Sequence, residues 1–238
     1  MTLTPLGDQA ILAYLSDESR AILFAGAIRA AAPGWLQDVV PAYASVGVFF
    51  DADLIGTDEV TEWLKDLAAN TEGSDQSTSL DASKAATKPR KFSVPVCYEM
   101  QLDMVQVCER TGLIADDVIR LHTSTEFTVY AIGFVPGFPY LGYLPPELCG
   151  VDRLPSPRLR IEPGSVGLTG RQTGIYPLAR PGGWNLIGRT PRVIVDVVEG
   201  FFPLRVGDRV GFKRIDEAEY RRQEGEKLKV EKVGSDLL

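Results

Sequence analysis

The chain has 238 residues, of which 45% are hydrophobic and 24% charged, and a formal net charge of −7 at pH 7. This length gives room for one large domain or two small ones with real cores. The negative balance excludes a general nucleic-acid binder, which needs a basic face, and speaks against binding to an anionic membrane surface.

Cys97, Cys108 and Cys149 are odd in number and widely spaced, and there is no CxxC pair. No disulfide framework is expected, and with His122 as the single histidine no zinc site either. The stretch from Met1 to Asp8 lacks the basic and apolar regions of a secretory signal. The longest apolar run, Ala21 to Ala32, is short and carries Arg29, so no membrane span is expected and the expected location is the cytoplasm.

In chain order, Ala10 to Leu15 reads as a strand after a Gly7-Asp8 turn. Glu18 to Ala32 reads as a helix with Ile22, Ala25 and Ile28 on one face, stopped by Pro33-Gly34. Val39-Val40 and Val46 to Phe50 are short strands. A second helix places Val60, Trp63, Leu64, Leu67 and Ala68 on one face, with Thr57 as N-cap and Asp58-Glu59 in the first turn. This alternation predicts a small α+β domain over 1–70, ferredoxin-like in type. From Asn70 to Arg90 the composition turns to Ser, Thr, Asp, Ala and Lys, with Leu80 the only large aliphatic. Such a segment buries too little apolar area to order itself, which predicts a flexible linker over 71–90.

A second domain is expected over 91–238. Phe92 to Cys97 reads as a strand, Asp103 to Arg110 as a helix stopped by Gly112, and Asp116 to His122 as another short helix. Thr128 to Ile132, Arg192 to Val198 and Arg209 to Lys213 read as strands. Many short strands with dense turns predict a closed or partly closed barrel. Asp216 to Gln223 is a surface helix, and Gly225 to Leu238 a mobile tail or an edge strand.

Chemistry concentrates between Gly133 and Arg192. This segment holds 11 of the 23 glycines and 10 of the 16 prolines, interleaved with Phe134, Phe138, Tyr140, Tyr143, Tyr176 and Trp184. Glycine permits positive φ and close approach, proline fixes φ, and the aromatics supply walls. Ordered loops of defined shape follow. From Arg153 to Arg192 there are seven arginines (153, 158, 160, 171, 180, 189 and 192), no lysine and one acid, Glu162. A +6 window of this kind points to planar, bidentate recognition of carboxylate or phosphate; the alternative is that some of these arginines pair with acids elsewhere in the barrel. Pro163 to Gly170 is either an anion nest or a plain hairpin turn, and it is no Walker A loop. Gly182-Gly183-Trp184 delivers an indole either to a site or to a core. His122 is the only imidazole available as a general acid or base, and equally a helix C-terminal histidine that complements the dipole.

Gly133-Phe134-Val135-Pro136-Gly137-Phe138-Pro139-Tyr140-Leu141-Gly142 resembles the GFxPGFxYLG signature of the family of 5-oxoprolinase B subunits. This family is also known as KipI-type kinase inhibitors or allophanate hydrolase subunit 1. Pro157-Arg158, Pro163 to Gly167, Gln172 to Pro177 and Pro181 to Pro191 are similar to its later blocks in the same order, and Gly7 to Ala10, Pro41 to Tyr43, Val94 to Tyr98 and Leu121-His122 to its earlier ones. Two departures stand out: a long linker, and Met100-Gln101-Leu102-Asp103 in place of a GPDL-like helix entry.

The resemblance implies a ferredoxin-like domain followed by a cyclophilin-like β-barrel of carboxyltransferase type. It implies ATP-dependent opening of 5-oxo-L-proline to L-glutamate, with ATP and Mg used in the complex, in partnership with a KipA-like C subunit and an A subunit. It carries His122, Arg158 and Arg189 over as catalytic residues. Gly137, Phe138, Tyr140, Ser165, Gly167, Gln172, Tyr176, Gly183 and Trp184 are carried over as residues that shape the site for a small anionic substrate. In this scheme backbone N–H groups near Gly164 to Gly167 stabilise an oxyanion and His122 shuttles a proton. With no P-loop in the chain, the nucleotide site is expected to be shared with or supplied by the C subunit. Two alternatives share the motifs: an inhibitor of a sensor histidine kinase, and half of a carboxyltransferase or allophanate hydrolase-type protein working with a biotin carboxylase.

Overall fold

The computed structural model describes residues 1–72 and 88–231. Its contacts divide the chain into two compact units, Met1–Lys88 and Pro89–Leu238. The linker expected over 71–90 falls mostly outside the described residues.

The first unit is a four-stranded antiparallel sheet with two helices. Strands β1 (Thr2–Pro5), β2 (Ala10–Tyr14), β3 (Leu36–Ala42) and β4 (Ser45–Phe50) lie in the order β1-β2-β4-β3. Ile11 and Ala13 of β2 and Val46, Val48 and Phe50 of β4 are all buried, as period-two alternation on one covered face requires. Helix α1 (Glu18–Ala31) covers that face. It starts at Asp17, whose carboxylate accepts the Arg20 N–H at 2.9 Å, and ends at Ala32 in the left-handed region. Its buried face is Ala21, Phe24, Ala25 and Ile28, one step round from the stripe expected through Ile22. Phe24 drives that rotation, because its ring is the largest apolar group on the helix. In helix α2 (Thr57–Glu72), Val60 and Leu64 are buried, and Trp63, Leu67 and Ala68 pack beside them as expected. Thr57 is the first helical residue rather than the cap. The preceding Gly56 N–H is satisfied by Glu59 Oε2 at 3.0 Å. Strand β1 escaped the sequence reading because it is a four-residue, mostly exposed edge with no apolar alternation.

The second unit is built on a closed barrel. Its strands are β5 (Lys91–Cys97), β6 (Glu126–Ile132), β7 (Pro139–Gly142), β9 (Ser165–Thr169), β10 (Gln172–Ile175), β12 (Asn185–Arg189) and β13 (Arg209–Ile215), ordered β10-β7-β6-β13-β5-β12-β9. Strands β8 (Arg158–Ile161) and β11 (Arg180–Gly182) form a separate two-stranded ribbon. Helices α3 (Met104–Thr111), α4 (Ala115–Ser124) and α5 (Glu217–Gln223) complete the unit. Gly112 ends α3 in the left-handed conformation, its N–H bonded to the Cys108 carbonyl.

Every barrel strand sends apolar side chains into one interior: Val94 and Val96, Phe127 and Val129, Leu141, Val166 and Leu168, Ile175, Ile187, Val210 and Phe212. One expectation here needs correction. Arg192 to Val198 is not a strand: Val193 and Asp196 make only isolated bridges, and the Asp196 carboxylate accepts the Val198 and Glu199 N–H groups at 3.0 Å, closing a turn. Of the two readings for Gly225 to Leu238, a mobile tail or an edge strand, residues 225–231 follow the second in part, with Lys227 bridging Val193 in parallel. Leu228 is buried in the barrel core, its N–H bonds the Val193 carbonyl, and the Glu231 N–H bonds the Lys91 carbonyl.

Candidate functional site

Strand alternation sorts the signature residues onto two sides of the barrel wall. Leu141 of β7 and Ile187 of β12 point into the main core, whereas their neighbours Tyr140 and Leu186 join a second cluster with Phe138, Ile161, Tyr176 and Trp184. The ring centroid of Phe138 lies 4.9 Å from that of Tyr140, 5.2 Å from Tyr176 and 5.4 Å from Trp184. These edge-to-face geometries make one aromatic wall on the outer face of β7, β10 and β12. Gly174 of β10 is what lets the rings settle there: a Cβ would sit 3.0 Å from both Phe138 Cζ and Trp184 Cζ3. Gly137 (φ +72°) turns the chain ahead of Phe138, at a point where a Cβ would collide with Val195. Burial raises the pKa of both Tyr140 and Tyr176, so the phenols stay neutral.

The predicted wall residues Gly137, Phe138, Tyr140, Tyr176, Gly183 and Trp184 are thus gathered by one region of the fold. Gly183 sits in the turn before Trp184, and its carbonyl accepts the Leu154 N–H at 2.7 Å. Ser165 and Gly167 lie in β9 and are buried; Gln172 opens β10 opposite Thr169 and Gly142. The oxyanion role suggested for Gly164 to Gly167 has no spare donors to rest on. Gly164 N–H bonds the Tyr176 carbonyl at 2.7 Å and Ser165 N–H bonds the Glu162 carbonyl at 3.2 Å, while β9 is laddered to β10 and β12 on either side.

His122 occupies a different place altogether. It is fully buried inside the barrel, stacked on Phe212 at 4.3 Å and 5.3 Å from the Phe127 ring. Nδ1 lies 2.7 Å from the Tyr98 hydroxyl and Nε2 lies 2.9 Å from Thr173 Oγ1. Thr173 donates its own proton to the Gly167 carbonyl at 3.0 Å, so its oxygen accepts from Nε2–H and Tyr98 donates to Nδ1. The chain of donors closes with each ring nitrogen satisfied. Burial lowers the pKa of His122 to about 3. A proton shuttle needs solvent or substrate contact and a pKa near the working pH, and this imidazole has neither. The sequence held the signal: His122 shares a helical face with the buried Val118 and Ile119.

The arginines divide. Arg158 Nη2 donates to Asp103 Oδ1 at 2.6 Å, and Asp103 Oδ2 accepts the Leu186 N–H at 2.7 Å. Asp103 is 6% exposed and ties the ribbon strand β8 to β12, a role hidden from the sequence by 55 residues of separation. Its helix-capping duty passes to Gln101, whose Oε1 accepts the Met104 N–H at 2.9 Å. Arg160 pairs with Glu162, and Arg192 with Glu226. Arg189 donates from Nε to the Pro163 carbonyl at 3.0 Å and acts electrostatically on Glu162 and Tyr220. Three of the seven therefore serve ion pairs within this unit. Asn185, which sequence reasoning passed over, is fully buried and donates Nδ2 to the Asp152 carbonyl at 2.8 Å. A separate depression of about 210 Å³, lined by Lys91, Thr123, Glu126, Arg209 and Glu231 among others, contains none of the predicted site residues.

The family model described as carboxyltransferase domain, subdomain C and D, matches residues 1–200. A Bacillus subtilis (strain 168) protein named as the B subunit of 5-oxoprolinase is 35% identical over 236 residues, 90% of this chain and 93% of that protein. An Escherichia coli O157:H7 protein of the same name is 48% identical over 126 residues, 52% of this chain and 57% of that one. Among solved structures, TTHA0988 aligns with a TM-score of 0.72 at 33% identity over 87% of this chain, which spans only 40% of the TTHA0988 chain. The urea carboxylase of Kluyveromyces lactis aligns with a TM-score of 0.70 over 97% of this chain and 24% of its own, at 18% identity, a likeness of fold alone.

Proposed function

The chain belongs to the carboxyltransferase subdomain C and D family and, within it, to the 5-oxoprolinase B subunits; from that premise we propose that it serves a cytoplasmic, ATP-dependent 5-oxoprolinase that opens 5-oxo-L-proline to L-glutamate. The observation that carries this reading is the near full-length match to the Bacillus subtilis protein, 90% of one chain on 93% of the other. The geometry supports it. A five-membered lactam with one carboxylate needs a counter-charge, and the guanidinium of Arg153 acts beside Tyr140, the partly exposed edge of an otherwise buried aromatic cluster.

A lactam amide resists water, so opening it needs activation of the carbonyl, which is what ATP supplies in the complex. The Pro163–Gly170 turn does not fit a nucleotide phosphate, because the N–H groups of Gly164 and Ser165 are already bonded to carbonyls. In this proposal nucleotide binding and activation therefore fall to the C and A subunits, and this chain binds and orients the substrate. The finer fold names belong to the proposal as well. The β2-α1-β3-β4-α2 run, with β1 filling the free edge beside β2, supports a ferredoxin-like first unit, and the seven-stranded closed barrel supports a cyclophilin-like second.

Co-expression with the C and A subunits should give glutamate from 5-oxoproline only when ATP is present. A folded three-component complex that consumes no 5-oxoproline with ATP would refute the assignment.

A further inference from the structure

The signature stretch from Gly133 to Gly142 holds one aromatic that the buried cluster does not absorb. Phe134 is 60% exposed and meets Phe138 only edge-on, at 5.7 Å between ring centroids. Its φ is +66°, and the Val135 N–H bonds the Gly133 carbonyl across it at 2.8 Å, which makes Phe134 the centre of a γ-turn of positive φ. A bulky side chain rarely takes that conformation, and the strain persists only where neighbouring contacts over-determine it. Here the Gly133 N–H bonds the Phe138 carbonyl at 3.2 Å and the Phe138 N–H bonds the Val135 carbonyl at 3.1 Å. The fold accepts backbone strain and holds an aromatic ring out in water.

A second braced loop lies against this turn. Asp196 and Phe201 exchange backbone hydrogen bonds of 3.0 and 2.8 Å, and the Asp196 carboxylate closes the tip between them. Val195 and Phe202 flank that bridge and both lie at Gly137, where a Cβ would come within 2.3 Å of Val195 Cγ2 and 3.3 Å of Phe202 Cδ1. At the tip Val197 is exposed and Val198 is 96% exposed, and the Phe202 ring is exposed beside them. Two loops joined through Gly137 therefore present Phe134, Val197, Val198 and Phe202 on one side of the barrel unit. Large apolar side chains gathered on a surface mark a site of protein contact, and anchors whose main chain is already fixed lose less entropy on binding.

The charges at the rim are spent within the chain. Glu199 pairs with Lys227, whose Nζ also stands 5.0 Å over the Phe201 ring, and Arg192 pairs with Glu226. A patch with a neutralised rim fits an apolar protein face and gives a phosphate or a nucleic acid nothing to hold. Two observations point to one occupant. This chain spans only 40% of TTHA0988, so in that relative the same fold continues into further polypeptide. The matching family model describes only subdomains C and D of a carboxyltransferase domain. A module of this kind works beside more protein of its own assembly.

We propose that Phe134, Val198 and Phe202 are the anchors by which this chain docks on an apolar face of the C subunit. This deepens the 5-oxoprolinase reading and rests on it only for the identity of the partner. Phe134 is the central anchor, because an aromatic ring carries more buried area at less entropic cost than the valines around it.

The test titrates the full chain with the C subunit in a calorimeter. Phe134→Gly removes the ring and relaxes the positive φ. It should weaken binding by about 30-fold or more, the size of a hot-spot truncation, while the melting temperature of the chain alone holds or rises. Val198→Asp, at a position open to water, should weaken binding by about 10-fold or more with no change in melting temperature. With p-benzoylphenylalanine in place of Val198, light should cross-link the chain to the C subunit. Wild-type affinity in both variants overturns the proposal, as does an unaltered chain that does not bind the C subunit, or a cross-link to a second copy of this chain instead. The 5-oxoprolinase reading fails separately, if the unaltered three-subunit complex makes no glutamate with ATP whatever the titrations show.

Discussion

Acidification offers a direct measurement of what His122 does. The imidazole has an ordinary pKa of 6.5 when unfolded and about 3 in the fold, because burial disfavours its charged form. Between those values the unfolded chain holds a proton that the folded chain does not. Stability is therefore full above pH 6.5 and falls as the pH drops toward 3. The slope is about 1.4 kcal/mol per pH unit once the unfolded imidazole is protonated, which gives a loss of about 2 kcal/mol between pH 7.5 and pH 5.

The window is clean, since the chain has one histidine and the carboxylates held low by hydrogen bonds and ion pairs, such as Glu99 and Glu162, titrate below it. Of the three tryptophans, only Trp184 lies in the barrel unit, so urea unfolding followed by fluorescence in a Trp35→Phe/Trp63→Phe background reports that unit alone. His122→Gln should be less stable at pH 7.5 and should lose the pH dependence between 7.5 and 5. A flat profile in the unmodified barrel, or the same slope in His122→Gln, would show that the imidazole is not held neutral in the core.

Further outcomes follow from the same contacts. Thr173→Val keeps the volume but strands Nε2–H of His122 in the barrel, and should lower urea stability by about 1–3 kcal/mol. Asp103→Ala leaves a largely buried Arg158 and the Leu186 N–H without their acceptor. It should cost about 2–3 kcal/mol, at or just below the ~3–5 kcal/mol of fully buried pairs because the Arg158 side chain is 27% exposed. Gly174→Ala should shift Trp184 emission and cost about 1–3 kcal/mol, since the added methyl meets Phe138, Trp184 and, at 2.9 Å, the Pro139 carbonyl.

The sequence was most informative where one face repeats. Phe92, Val94 and Val96, or Val210 and Phe212, alternate strictly and announce β5 and β13. The short strands β8 to β12 were not individually legible, because three to five residues between glycines and prolines carry no period, and their partners are set by closure of the barrel. In the site, the aromatic cluster followed from composition. The fate of each arginine did not, since Arg158 meets Asp103 across 55 positions, a distance no local pattern encodes. His122 went astray because a helix C-terminus usually faces solvent, and here α4 drives its last turn into the core.

Strands β5 and β13 pair in parallel, Lys91 with Arg209 through to Cys97 with Ile215, so the first and last strands of the barrel close it upon each other. A ribosome-bound chain that has not yet released Ile215 carries a seven-residue, valine-rich edge with no neighbour on that side. Any truncation upstream of residue 209 should therefore yield an aggregating product rather than a smaller barrel, and expression yield should hinge on how long that edge waits for its partner.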